Sequence, residues 1–256
     1  MVVHLLWFVK LLNCLSREGF CGTLKATGGY KMDLLLDSAD LSEISYALDH
    51  YPIKGITTNP TMLARIESTS LLSHLQDIRK LIGDDLALHI QVMGSDPKTM
   101  VGEAHRLQNL FGEQTYVAIP VTKAGLEAMK LLAKEPINIT ATTVFSTIQG
   151  ILAMQIGVRY IAVYYDRMLN LDIDAAKVIK ELASLLWTNT SSTQLLAASF
   201  RNVAEVTTAY SAGSGCCTLK LGLLQTGLSM PSITKAVEDF NKDWRSVYDQ
   251  KTLLDF

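Results

Sequence analysis

The sequence predicts a single (β/α)8 barrel, and three observations support this fold. From Met32 onward, short apolar segments alternate with amphipathic ones, as in β/α units around a parallel sheet. Eight such units fit between Met32 and Phe256, which favours a closed barrel over an open, doubly wound sheet. No glycine-rich nucleotide-binding motif follows the first strand, which argues further against an open nucleotide-binding sheet.

The strands are predicted from short apolar segments that are bounded by turn residues. In chain order they are Asp33–Asp37, Gly55–Asn59, Ala87–Val92, Thr115–Ile119, Ile137–Thr142, Tyr160–Tyr164, Gln194–Ser199 and Cys217–Leu221. Helix start signals fall between them. Asp40 and Glu43 have the spacing of a capping box, and Asn59 precedes a proline at a first helical position. Thr122 can cap the helix that follows the fourth strand.

A final helix is predicted from Ser232 to about Tyr248, with apolar side chains on one face. These side chains are Val237, Phe240, Trp244 and Val247. The face can pack on the barrel of the same chain or on a neighbouring subunit, and the pattern alone leaves both open.

Composition excludes several classes of function. Hydrophobic residues make up 48% of the 256 residues and the formal net charge is −2, so the chain is neither disordered nor a polycation. The 23 basic residues are scattered, which argues against nucleic-acid binding. No apolar run reaches membrane-spanning length. The four cysteines form no metal-ligand spacing, so we expect no metal or other cofactor and a reduced, cytoplasmic protein.

Residues 1–31 differ from the remainder of the chain. Their apolar start lacks a preceding basic segment and a clear small-residue cleavage site, so a signal peptide is the less favoured interpretation. We expect residues 1–31 to form a poorly ordered extension outside the fold and residues 32–256 to form one barrel domain.

Polar residues recur at the carboxyl ends of the predicted strands. On the fourth strand, Val117 and Ile119 suit the helix side, so Tyr116 and Ala118 face the barrel interior. The same alternation points Thr218 and Lys220 inward on the eighth strand. It also turns inward Asp37, Thr57, Asn59, Gln91, Thr142, Tyr164 and Ser199. Because burying unpaired polar groups is costly, these residues predict a polar pocket at the face where barrel active sites are built.

Several segments resemble the small transaldolases and fructose-6-phosphate aldolases. Thr115–Thr122 is similar to the family's fourth strand, Val-Lys-Val/Ile-Pro-Val-Thr, and Gly55–Thr61 is similar to Gly-Val-Thr-Thr-Asn-Pro-Ser. The other matches are Leu36–Asp40 to the first strand, Ile90–Met93 to a Gln-Val-Met strand, Thr142 with Gln149 and Gly150 to the fifth unit, Tyr164–Arg167 to Tyr-x-Asn-Arg, and Ala197–Arg201 to Ala-Ala-Ser-Phe-Lys. Together they cover the chain from Met32 to the C-terminus.

The resemblance implies the chemistry of a class I aldolase. In such an enzyme, a lysine amine attacks a ketose carbonyl, and the resulting iminium ion withdraws electrons from the carbon–carbon bond that breaks. Tyr164 would be the general acid/base, acting through a water held by Gln91 and Thr142. Asp37 and Asn59 would bind hydroxyls and stabilise the carbinolamine.

The resemblance also implies a sugar-phosphate substrate and an oligomeric protein. Arg167, Ser199 and Arg201 follow the sixth and seventh strands, near the usual phosphate site of barrels, and a guanidinium with a hydroxyl suits a phosphate. The substrate-binding residues are then Thr57, Asn59, Arg167, Ser199 and Arg201. Members of the family are typically ring-like homo-oligomers, pentamers or decamers, in which the last helix makes the subunit contact.

Two departures from the family pattern bear on activity. Ala118 stands where the family has its Schiff-base lysine, and an alanine cannot form an imine. Lys220 stands where proline or glycine is usual, on the barrel wall opposite Ala118. Three interpretations remain open: an enzyme that uses Lys220 as a relocated amine, an impaired enzyme that still binds ketose phosphates, and a regulatory or structural oligomer that has lost the reaction.

Overall fold

The computed structural model describes residues 32–66 and 70–256, and the extension predicted for residues 1–31 lies outside the described residues. Eight parallel strands close into a barrel in chain order, since β1 pairs with both β2 and β8. The strands are β1 (Asp33–Asp37), β2 (Gly55–Thr57), β3 (Ala87–Gln91), β4 (Thr115–Pro120), β5 (Asn138–Val144), β6 (Tyr160–Tyr164), β7 (Gln194–Ala198) and β8 (Cys216–Leu219). The predicted (β/α)8 barrel is confirmed.

Helices follow the strands along the chain. Within the described residues they are α1 (Leu41–His50), α2 (Pro60–Leu63), α3 (Leu71–Ile82), α4 (Pro97–Phe111), α5 (Lys123–Leu132), α6 (Thr147–Ile156), α7 (Tyr165–Leu169), α8 (Ala175–Thr188), α9 (Val203–Ser211), α10 (Leu221–Leu228) and α11 (Pro231–Tyr248). A short 3-10 turn, Leu253–Asp255, comes after α11.

The core has two layers, which follow from strand alternation. Outward-facing side chains such as Leu36, Ile56 and Val117 are fully buried between the strands and the helices. Inward-facing side chains fill the lower part of the barrel. They are Leu35, Ala87, Tyr116, Tyr160, Ala162, Leu196 and Cys216. The upper part of the barrel is therefore left for polar groups.

Three strand ends differ from the predicted bounds by two residues, for local reasons. β2 ends at Thr57 because Asn59 turns out of the strand to cap α2, where its side chain accepts a hydrogen bond from the Met62 N–H. β8 ends at Leu219, and Lys220 occupies the N-cap position of α10. β5 continues past Thr142 because its register against β6 shifts.

The predicted helix caps are present, with one difference. The Asp40 carboxylate accepts a hydrogen bond from the Glu43 N–H at 2.9 Å. The reciprocal half of the capping box is missing, because the Glu43 carboxylate accepts from the Ser38 hydroxyl at 2.6 Å. Thr122 caps α5 by accepting from the Gly125 N–H at 3.1 Å.

The start of α5 lies against the end of β4, and this requires a glycine. A Cβ atom at Gly125 would lie 1.9 Å from the carbonyl oxygen of Pro120, so no larger residue fits without a backbone shift. This close approach fixes the turn that follows the strand carrying Ala118.

The last helix exposes its apolar face. Among the described residues, no residue of α11 is buried, and Val237, Phe240 and Val247 are each more than half exposed. Trp244 packs against Tyr248 and Phe256 at the end of the chain. In the described part of the chain, the predicted apolar face is thus not covered by the barrel.

Candidate active site

A cavity of about 1170 Å³ opens at the carboxyl ends of the strands. All the residues predicted for the site line it: Asp37, Thr57, Asn59, Gln91, Ala118, Thr142, Tyr164, Arg167, Ser199, Arg201 and Lys220. Their side chains reach one cavity because inward-facing positions at the ends of parallel strands converge on the same end of the barrel.

The floor of the cavity is aromatic and polar. His89 stacks on Tyr116 with ring centroids 4.8 Å apart, and Tyr160 meets both rings edge-on. The His89 Nδ1 atom lies 2.9 Å from the Thr140 hydroxyl, while its buried Nε2 atom has no hydrogen-bond partner. Complete burial lowers the pKa of His89 to about 3, so the imidazole is neutral at ordinary pH.

Asp37 lies at the end of β1 among groups that control its charge. Burial raises the pKa of its carboxyl group to about 6. The hydrogen bond from the Thr57 hydroxyl and the positive charges of Lys220 and Arg167 act in the opposite direction. The Thr57 Oγ1 atom is 2.8 Å from Asp37 Oδ1 and 2.6 Å from the Thr218 hydroxyl. Asp37 therefore titrates near neutral pH inside the cavity.

Ala118 forms part of the cavity wall. It is 6% exposed, and in the sheet register it lies between Gln91 of β3 and Thr140 of β5. A methyl group at this position offers no nucleophile and no proton donor. Position 118 is thus flanked by two polar residues but carries no amine.

Tyr164 meets Thr142 across the upper part of the cavity. The two hydroxyl groups are 3.0 Å apart, and the Arg167 guanidinium lies over the tyrosine ring, 5.0 Å from its centroid. Next to Thr142, Thr143 has a φ of 61°, which is rare for a β-branched residue, and the β5 register shifts there. Such strained backbone is typical of functional sites.

The expected phosphate end of the cavity contains acidic groups as well as basic ones. Ser199 follows β7 with a φ of 63°, and its carbonyl accepts a hydrogen bond from the Asp166 N–H. The Arg201 guanidinium lies 3.2 Å from the Asp166 carboxylate, and its backbone N–H donates to Glu205. Arg201 therefore lines the cavity with part of its charge already balanced by Asp166.

Lys220 lies at the cavity mouth. It is exposed, four strands around the barrel from β4, and its positive charge acts on Asp37. Lys220 thus lines the cavity from an exposed position one residue past the end of β8.

Three polar residues of the site had no predicted role. Thr218, Thr140 and His89 all line the cavity. Each lies two positions before a predicted site residue on the same strand or its extension. Strand alternation had already pointed Thr218 inward, and the same rule could have found Thr140 and His89. Their hydrogen bonds join different strands and carry no local sequence signal.

Among the described residues, no group of three or more His, Cys, Asp or Glu side chains is arranged to hold a metal ion. None of the helices described above combines the length and the apolar character needed to cross a bilayer.

Comparison with known proteins supports the barrel fold and identifies the family. A mandelate oxidase mutant with a monooxide FMN adduct is similar in fold, with a TM-score of 0.52 and 11% identity over 75% of this chain and 64% of that one. A probable fructose-6-phosphate aldolase from Streptococcus pneumoniae is 39% identical over 222 residues, which are 87% of this chain and all of that protein. Residues 34–255 match the family described as Transaldolase/Fructose-6-phosphate aldolase, and the chain belongs to this family of enzymes.

Proposed function

We propose that this chain is a transaldolase or fructose-6-phosphate aldolase that binds ketose phosphates but turns them over weakly or not at all. The observation that carries the proposal is Ala118, a buried methyl group on the cavity wall at the position of the family lysine. Losing a covalent nucleophile leaves only binding and positioning, so the expected loss of rate is several orders of magnitude.

The remaining groups suit the family reaction once an amine is supplied at position 118. The amine adds to the ketose carbonyl, a proton reaches the carbonyl oxygen, and water leaves to give the iminium ion. Breaking the carbon–carbon bond, as the hydroxyl on the departing carbon loses its proton, then releases an aldehyde and leaves an enamine. A proton added to the enamine carbon restores the iminium ion, and its hydrolysis by water releases dihydroxyacetone and the free amine. Tyr164, beside Thr142 at 3.0 Å, is placed to move protons through a water shared with Gln91.

The two ends of the cavity support a sugar phosphate as the ligand. Arg167, Ser199 and Arg201 line one end and offer cationic and hydroxyl donors. Asp37, Thr57 and Asn59 line the wall built by β1 and β2 and offer groups that bind hydroxyls. A ketose phosphate matches this arrangement of charge at one end and hydroxyl partners at the other.

The test is borohydride trapping with fructose 6-phosphate and with dihydroxyacetone, followed by peptide mass mapping. We expect no adduct on the chain as it stands and a strong adduct at position 118 in Ala118→Lys. Lys123→Ala in the Ala118→Lys variant is the control. Lys123 is a nearby lysine in the first turn of α5, it is not among the residues that line the cavity, and its loss should not affect trapping. Absence of trapping in the folded Ala118→Lys variant would contradict the proposal.

A second candidate is an enzyme that uses Lys220 as a relocated amine. The favouring observation is that Lys220 lines the cavity and its charge acts on Asp37. A reduced adduct on Lys220, lost in Lys220→Met, would establish this candidate in place of the first.

A third candidate is a regulatory or structural oligomer. The exposed apolar face of α11 favours subunit assembly, and a ring-like homo-oligomer in the cytoplasm forms part of both this candidate and the first. Calorimetric titration with fructose 6-phosphate separates them. Binding supports the sugar-phosphate site, and its absence with an intact oligomer supports the structural role.

A further inference from the structure

Two threonine hydroxyls connect the closing strand of the barrel to the Asp37 carboxylate. Thr218 on β8 lies 2.6 Å from Thr57 on β2, and Thr57 lies 2.8 Å from Asp37 on β1. Both threonines are almost fully buried, Thr57 at 7% and Thr218 at 3% exposure. The three groups therefore form a chain of hydrogen bonds whose two threonines are shielded from solvent and whose carboxyl end is partly exposed.

The chemistry of the three groups fixes the direction of these hydrogen bonds. An ionised carboxylate only accepts hydrogen bonds, and a hydroxyl has a single proton to donate. The Thr57 proton goes to Asp37, so Thr57 has none for Thr218. At the 2.6 Å contact, Thr218 is the donor and the Thr57 oxygen is the acceptor.

We propose that Thr218 is a positioning residue for Asp37, because the proton it donates to Thr57 keeps the Thr57 proton directed at the carboxylate. Without Thr218, the Thr57 oxygen loses its donor, and its hydroxyl can rotate away from Asp37. The inference rests on the proposed function for the role of Asp37 in handling the substrate, whereas the effect on the carboxyl group itself does not depend on turnover.

The ionisation of Asp37 reports on this chain of hydrogen bonds. A hydroxyl that accepts a hydrogen bond becomes a better donor, so the hydrogen bond from Thr218 strengthens the one from Thr57 to Asp37. That bond lowers the pKa of Asp37 against the effect of burial. Removing the Thr218 hydroxyl should therefore raise the pKa of Asp37 further.

Other charged groups face Asp37 and must stay constant in the test. Lys220 and Arg167 act on it directly. The remaining ionisable side chains that line the cavity are Asp40, Glu43, Arg65, His89, Tyr164, Asp166 and Arg201. His89 does not titrate near neutral pH, since its pKa is about 3.

The first test is a ¹³C NMR titration of the Asp37 carboxyl group in the chain that carries Ala118. Thr218→Val should raise the titration midpoint by about 0.5 unit or more, as expected for a weakened hydrogen bond to a charged group. Thr218→Ser keeps a hydroxyl and should restore the original midpoint. Thr140→Val is the matched control, because Thr140 is equally buried but contacts His89 instead.

The results separate the inference from general damage to the barrel. An unshifted midpoint in Thr218→Val, or an equal shift in Thr140→Val, would overturn the inference. Failure of Thr218→Ser to restore the midpoint would overturn it as well, provided that the variant unfolds at the temperature of the parent.

A second test uses the pH profile of kcat/KM in the Ala118→Lys background. The limb that reports Asp37 should move in Thr218→Val by the shift seen in the titration and return in Thr218→Ser. A profile that stays in place would overturn the positioning role. If Ala118→Lys is itself inactive, the proposed function has failed, and the NMR titration alone decides the inference.

Discussion

At the scale of single residues, the proposed loss of turnover rests on one methyl group. Ala118 is buried between Gln91 and Thr140 in the register of neighbouring strands, and the polar groups expected around an amine are in place. We therefore expect turnover to be limited by the missing amine at position 118 and not by the arrangement of the other groups in the cavity. Restoring a lysine tests the scaffold directly.

The anion end of the cavity gives a prediction about Asp166. Its carboxylate accepts from Arg201 at 3.2 Å and from Asn170 at 3.0 Å, and its negative charge opposes a phosphate dianion. Asp166→Asn should tighten the binding of inorganic phosphate about threefold at low salt, since the Arg201 side chain is largely exposed and its ion pair is weak. Isothermal titration calorimetry measures this change.

The control for this prediction is Asp172→Asn, which removes the same charge outside the residues that line the cavity. It should leave phosphate binding within error of the parent. Weaker phosphate binding in Asp166→Asn would mean that the carboxylate serves to orient Arg201 instead of opposing the ligand.

At the scale of elements, α11 differs from the other helices because its apolar residues have no cover in the described chain. Val237, Phe240 and Val247 repeat at helical spacing on one exposed face. Apolar faces of this size usually mark an interface. We therefore expect a subunit contact along this helix.

Charge placed on this face should break up the assembly. Phe240→Glu puts a carboxylate where the neighbouring subunit would cover it, so sedimentation velocity should show a smaller species than the parent. Lys242→Ala changes the net charge by the same amount on the opposite face of α11 and should sediment like the parent. An unchanged sedimentation coefficient for Phe240→Glu would exclude α11 from the contact.

At the scale of the whole molecule, His89 and Asp37 make the free energy of unfolding depend on pH, and their effects have opposite signs. His89 has a pKa of about 3 in the folded chain against an ordinary value of 6.5, so the unfolded chain binds more protons and acidification destabilises the fold. Asp37 has a pKa of about 6 against 3.8, so the folded chain binds more protons between these values and acidification stabilises it.

The two contributions predict how variants respond between pH 7 and pH 5. His89 should lower the free energy of unfolding by roughly 2 kcal/mol, and Asp37 should raise it by at most about 1 kcal/mol because it keeps some solvent contact. The parent should lose about 1 kcal/mol. Asp37→Asn should lose more than the parent, and His89→Phe should gain stability on acidification. Urea unfolding at the two pH values measures each change, and equal slopes in all three proteins would refute the assignment.

Much of the fold and of the site follows from periodic patterns, and the exceptions have physical causes. Strand alternation predicts the inward position of Asp37, Gln91 and Tyr164, because the side on which a residue lies depends only on its place along the strand. The left-handed backbone at Thr143 is not predictable, since a β-branched residue disfavours it and tertiary structure imposes it. The Thr57–Thr218 hydrogen bond joins residues 161 positions apart, which no local pattern encodes.

The pairing of β1 with β8 has a consequence for how the protein acquires its site. The two strands are separated by almost the whole barrel domain. Bringing them together costs conformational entropy before any contact between them can form, so such pairings slow folding and tend to come late. The Thr57–Asp37 hydrogen bond joins the neighbouring strands β1 and β2, whereas the Thr218–Thr57 hydrogen bond brings in β8 and depends on closure of the barrel. A partly folded chain with an open barrel therefore lacks the Thr218 hydrogen bond, and the complete network around Asp37 forms only when the barrel closes.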